Sequence, residues 1–120
     1  MMLLFGITSQ ATSGTEYAPV GLGPAQATDL EYPVTQQLRF SELRVSQTPG
    51  TGAGSVEYTL MRNGLATSLT LSIPVVNPSA VSDSAADIDF QSGDTIGLLA
   101  DKVGVISSAP TSVLISVGEG

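Results

Sequence analysis

An all-β fold, an antiparallel β-sandwich or jelly roll of about seven to eight strands, is what the 120-residue sequence predicts. Two observations carry this expectation. Apolar and polar residues alternate in short runs, the period of a half-buried strand, and Gly-, Pro- and Asn-containing turns separate the runs at regular spacing. The spacing of 3, 4 and 7 that marks an amphipathic helix is nowhere sustained.

The first run, residues 1–9, places Leu3, Phe5 and Ile7 on one face and Met2 and Leu4 on the other, the pattern of a strand covered on both sides. It reads as a retained strand and not as a signal peptide, because no basic residue leads it and polar TSQATSGT follows at once. Residues 10–34 carry Gly14, Gly21, Gly23, Pro19, Pro24 and Pro33 without a period, so an extended arm or long loop is expected there. Tyr17, Val20, Leu22, Leu30 and Tyr32 are too apolar for a segment that simply stays solvated. Two readings remain open: an arm lying on another subunit, or a loop packed on its own domain.

From Gln36 the alternation resumes. Leu38 and Phe40 share one parity and Leu43 and Val45 the other, so a bulge or bend is expected across Ser41–Glu42. After QTPGTGAG, Val56, Tyr58 and Leu60 face one way up to Asn63-Gly64, and Leu69, Leu71, Ile73 and Val75 continue after it. Asn-Gly supplies the two positive φ angles of a type I′ turn, which makes this pair a hairpin. Pro74 has no amide hydrogen to give a ladder, so the second strand should end there or run along an edge. Ile88 and Phe90, a turn at Ser92-Gly93-Asp94, then Ile96 and Leu98, and finally Val113, Ile115 and Val117 complete the pattern. Residues 1–120 are expected to form one β domain, with 10–34 as its arm or loop.

Composition bounds function. Charged residues make up only 12% of the chain while Ser and Thr together number 27, so much of the surface is hydroxyl and backbone, which suits association. A net charge of −7, with only Arg39, Arg44, Arg62 and Lys102 positive, repels polyanions and argues against nucleic acid as a partner. No stretch approaches the roughly 20 apolar residues of a membrane-spanning helix, and no membrane partner is expected. With no His and no Cys, serine triads, cysteine dyads and His- or thiolate-based zinc sites lack their essential parts. No catalytic residue and no cofactor are expected.

Weaker signals have plainer readings beside them. Asp83, Asp87 and Asp89, with Asp94, offer hard oxygen ligands to Ca²⁺, but their spacing matches no EF-hand, and solvated loop acids are the simpler reading. GTGAG and VGLGPA do not join a strand to a helix, as a phosphate-cradling loop requires, and read as turns. Arg62 beside the hairpin turn is placed to meet a carboxylate or a glycan, or simply to be solvated.

Taken in order, TSGTEYAPVG, VEYTLMRNGLATSLTLSI, DFQSGDTIGLLA and TSVLISV resemble small jelly-roll virion proteins of tailed bacteriophages. The shared features are a hairpin at Tyr58, Leu60, Arg62, Asn63 and Gly64, an apolar strand from Leu69 to Val75, a turn at Gly93 and Asp94, and a closing strand from Val113 to Val117. The resemblance implies a jelly roll like that of trimeric head-decoration (cement) proteins, or of tail-fibre tip domains. With no repeat, heptad or shaft segment, the chain fits decoration better. The implied partners are itself, as a homotrimer, and the major capsid protein, at the outer surface of the phage head. The contact residues expected on this reading are Leu3, Phe5, Tyr17, Val20, Leu22, Leu30 and Tyr32. A receptor- or glycan-binding tail module and a carboxylate-dependent glycosidase are the alternatives.

Overall fold

The computed structural model describes residues 2–82 and 87–118. It is all-β: strands β1 (Met2–Ser9), β2 (Thr15–Tyr17), β3 (Gly23–Pro24), β4 (Tyr32–Pro33), β5 (Leu38–Phe40), β6 (Glu42–Gln47) and β7 (Thr51–Gly52) lead to the hairpin of β8 (Ser55–Arg62) and β9 (Leu65–Pro74). Then follow β10 (Ser79–Val81), β11 (Ile88–Phe90), β12 (Thr95–Val103), β13 (Ile106–Ser108) and β14 (Val113–Gly118). The first sheet runs β10-β6-β14-β1-β3 and the second β2-β12-β8-β9, with β4 also on β12; β11-β5 and β13-β7 are separate two-stranded ladders. These segments outnumber the expected seven or eight strands because bends split long runs and because short pieces within 15–33 pair as strands.

Each strand obeys a local rule. Asn63 and Gly64 have φ of 54° and 77°, and Arg62 pairs with Leu65 across them, as a two-residue hairpin turn requires. The parity change at 41–42 is where β5 hands over to β6: Phe40 and Leu43 are both fully buried, and the chain swaps a ladder with β11 for ladders with β14 and β10. β9 ends at Pro74. Between Thr59 and Met61 the β8-β9 register slips, and Thr67 bridges the irregularity: its hydroxyl donates to the Leu60 carbonyl at 2.7 Å and accepts from the Leu69 amide at 3.2 Å.

Between the sheets lies a core in which Phe5, Ile7, Phe40, Leu43, Tyr58, Leu60, Leu69, Ile73, Phe90, Leu98 and Ile115 are fully buried. Phe40 and Phe90 meet edge to face with ring centroids 5.9 Å apart, a geometry worth about 1 kcal/mol beyond its area. One ion pair sits at the margin of this core. Lys102 Nζ, with no side-chain exposure, lies 2.5 Å from Glu16 Oε1, which also accepts the Ala11 amide at 2.7 Å.

Residues 10–34 form a structured excursion between the two sheets. β2 and β4 take adjacent stretches of one edge of β12, at Leu99–Asp101 and Thr95–Ile96. Between them the chain crosses to β1: Gly6 donates its amide to Pro19, Gly21 donates to Leu4, and β3 pairs in parallel with Ile7 and Ser9. The excursion thereby covers the β1 edge that would otherwise expose a row of unpaired backbone groups. Close approach here depends on Gly6, since a Cβ at that position would stand 2.5 Å from the Gly21 carbonyl and 2.8 Å from Leu22 Cδ1.

Candidate association surfaces

The sheet register divides the surface into regions of different charge. At one end of the sandwich four connections gather: Gln10 Nε2 donates to the Pro110 carbonyl, Thr48 to Ser112, Gly50 to Val75, and Gly54 to Val105. These connections, residues 10–14, 48–54, 75–78 and 103–112, contain no charged residue. Val76, Val103 and Val105 stand exposed there, Val105 at 75%. Next to Val103 in sequence, the buried Lys102 is neutralised by the partly buried Glu16.

The opposite end is acidic. The Asn63 side chain donates to Asp94 Oδ1 at 3.1 Å and accepts the Thr95 amide at 2.9 Å, tying the hairpin turn to the Gly93-Asp94 turn. Thr95 Oγ1 donates to Glu31 at 2.6 Å. The Asp94 carboxyl is held below its ordinary value, first by the Gln91 amide and then by the Asn63 side chain. Asp29 is held above its own, first by desolvation and then by hydrogen bonding with, and repulsion from, Glu31. Arg39 lies 2.7 Å from Asp89, whose carboxyl it lowers. Arg62 donates to the Asp89 carbonyl at 2.8 Å and lines a cleft of about 420 Å³ with Asn63, Leu65, Thr67, Ser68 and Asp87.

Of the cation-ligand candidates, the structure describes Asp87, Asp89 and Asp94. Asp83 lies outside the described residues; Asp89 is engaged by Arg39, and Asp94 caps the Gln91 amide. Among the described residues no group of three or more acids could hold a metal.

A third region is the outer face of the first sheet. Strand alternation sends Leu3, Phe5 and Ile7 inward and Met2, Leu4 and Gly6 outward. Leu114 lies across from Gly6, and Leu22 folds over Gly6 from the excursion. Met2, Leu4, Leu22, Leu114 and Val81 are exposed.

The expected contact residues therefore divide. Phe5 is fully buried in the core and has no surface to offer a partner, a correction that follows from its inward parity on β1. Leu3, Tyr17, Leu30 and Tyr32 are half-buried, with Leu3 and Tyr32 packed against the core. Tyr32 is also tied into the fold by its hydroxyl, which accepts the Val20 amide at 3.1 Å. Val20 and Leu22 remain exposed. Sequence reasoning passed over Leu114 and the valines of the uncharged end. Leu114 carried a readable signal, an apolar residue at the polar parity of SVLISV, as Met2 and Leu4 did in the first strand. Comparison with known proteins finds no family model that matches the chain and no curated relative.

Proposed function

We propose that this chain is a structural virion protein that decorates the head of a tailed bacteriophage, seated on the capsid by its uncharged loop end. The observation that carries this reading is the partition of charge. A chain of net charge −7 keeps 26 residues at one end free of charge, exposes three valines there, and places acids at the other end. Such an end can bury against capsid subunits without stranding an unpaired charge, which would cost several kcal/mol. The acidic end then faces solvent and keeps neighbouring particles apart.

The jelly-roll part of the proposal draws on strand order. Counting β2 with β4, β5 with β6, and β10 with β11, and leaving out the short β3, β7 and β13, gives eight strands whose pairings include first with eighth, second with seventh, third with sixth and fourth with fifth. A long antiparallel hairpin rolled up on itself has this nesting. In function such a protein is mechanical: buried contact area across capsomer boundaries opposes their separation, and no bond is made or broken.

The test is co-sedimentation with expanded heads of the source phage, followed by heating. Binding should raise the temperature at which heads release DNA, and Val105→Asp should abolish binding while leaving the fold intact. Absence of binding to expanded heads refutes the reading. The cleft lined by Arg62, Asn63, Thr67, Ser68 and Asp87 favours a second reading, a glycan-binding tail module. Selective glycan binding that is lost in Arg62→Ala, with no head binding, would establish it instead.

A further inference from the structure

Half of the ten large apolar side chains that the described surface exposes stand on one face, the outer face of the first sheet, and that concentration calls for a partner. The ladders place them in rungs. Val81, Arg44, Ser116 and Leu4 lie side by side across β10, β6, β14 and β1, and Ser79, Ser46, Leu114 and Gly6 form the adjacent rung. Leu22 lies over Gly6, and Met2 extends the patch through the rung of Glu42 and Gly118. Among the described residues, the ionised side chains of these rungs are Glu42 and Arg44, and they neutralise one another at 3.1 Å. By contrast, the outer face of the second sheet sets Asp101 directly opposite Glu57.

We propose that a second copy of this chain docks on the outer face of the first sheet, sheet against sheet, about a two-fold axis. Charge selects the occupant. Two copies of a chain carrying −7 meet repulsion if they approach through the acidic end or through the Asp101–Glu57 face, and like charges juxtaposed at an interface cost several kcal/mol. Among the described residues, the first sheet's outer face presents no net charge to a copy of itself. The Glu42–Arg44 pair is also self-complementary under a two-fold, since each ion can meet its opposite in the other copy.

Area agrees with a closed pair. The five strands hold 25 residues, and at about 4.8 Å by about 3.4 Å for each they give a face of roughly 400 Å² in projection. Standing side chains raise its accessible area toward the ~800 Å² that each partner of a standard interface buries. A patch that meets itself closes at two copies, so the assembly is even-numbered, in place of the trimer that the resemblance implies. The inference does not depend on the head reading, because it uses a different surface and is read in solution without a capsid.

The experiment is sedimentation equilibrium of the whole chain at micromolar concentration, with thermal melts alongside to verify folding. The wild type should run at twice the 12.2 kDa of one chain. Leu114→Lys and Leu4→Lys, each at an exposed position, should weaken association at least about tenfold, while Val105→Lys at the uncharged end leaves it unchanged. A wild-type monomer or trimer overturns the proposal. So does a dimer that survives both face substitutions, or one that Val105→Lys dissociates.

Discussion

Replacing Tyr58 with Phe removes a hydroxyl that is buried between the sheets without a hydrogen-bond partner, and its effect on stability should depend on pH in a direction the structure sets. Burial pushes the Tyr58 phenol from 10.0 up to about 12, a rise that the neighbouring Gln10 partly offsets, although Tyr58 Oη and Gln10 Oε1 complete no hydrogen bond. In the unfolded chain the phenol ionises near pH 10, whereas in the folded chain it stays protonated until about pH 12. The unfolded state therefore binds fewer protons between those values, and stability falls as pH rises. The contribution is fully present below pH 10 and is lost by about 1 kcal/mol at pH 11 and about 2 kcal/mol at pH 12. Urea denaturation of wild type and Tyr58→Phe from pH 8 to 11.5 measures it. Other groups titrate alike in both proteins, so the difference between the two curves isolates Tyr58. The phenylalanine variant should match or exceed the wild type at pH 8, since the hydroxyl is unpartnered, and should pull ahead steadily above pH 10. Parallel curves over the whole range would refute the placement of Tyr58 in a site that resists ionisation.

Two further outcomes follow from close contacts. Gly6→Ala should destabilise by about 2 kcal/mol, because the new methyl strikes the Gly21 carbonyl, which is backbone and cannot turn aside; amide exchange at Gly21 and Gly6 should accelerate more than exchange in β8. Lys102→Ala should cost about 3 kcal/mol by stranding the Glu16 carboxylate, whereas Lys102→Met should recover part of that loss once Glu16→Gln is added, as thermal melts of the four proteins would show.

What the sequence made legible was local chemistry. Asn63-Gly64 prescribes positive φ whatever surrounds it, Pro74 removes a donor, and the parity change at Ser41–Glu42 must be absorbed where it occurs; the structure shows all three in place. The excursion of residues 10–34 was not legible, because its pairings with β1 and β12 join segments whose composition records neither partner nor register. The candidate surfaces were half-legible for the same reason. That 48–54 and 103–112 lack charge can be read directly, but their meeting at one end depends on bonds such as Gly54 to Val105. Phe5 shows the converse failure. A strand apolar on both faces announces that something covers it, and parity alone does not say which face turns to the core.

β14 lies between β1 and β6, with Met2 opposite Gly118 and Glu42 opposite the same residue on the other flank. During synthesis the two flanking strands leave the ribosome long before the strand that joins them. Until then a slot one strand wide stays open in the sheet, bordered on both sides by unsatisfied amides and carbonyls and floored by core side chains. Val113–Gly118 closes it in cis if it arrives soon. At high local concentration, the same strand of a neighbouring nascent chain fits the slot equally well, so slow translation of the codons between β6 and β14 favours strand-exchanged oligomers over properly closed protomers.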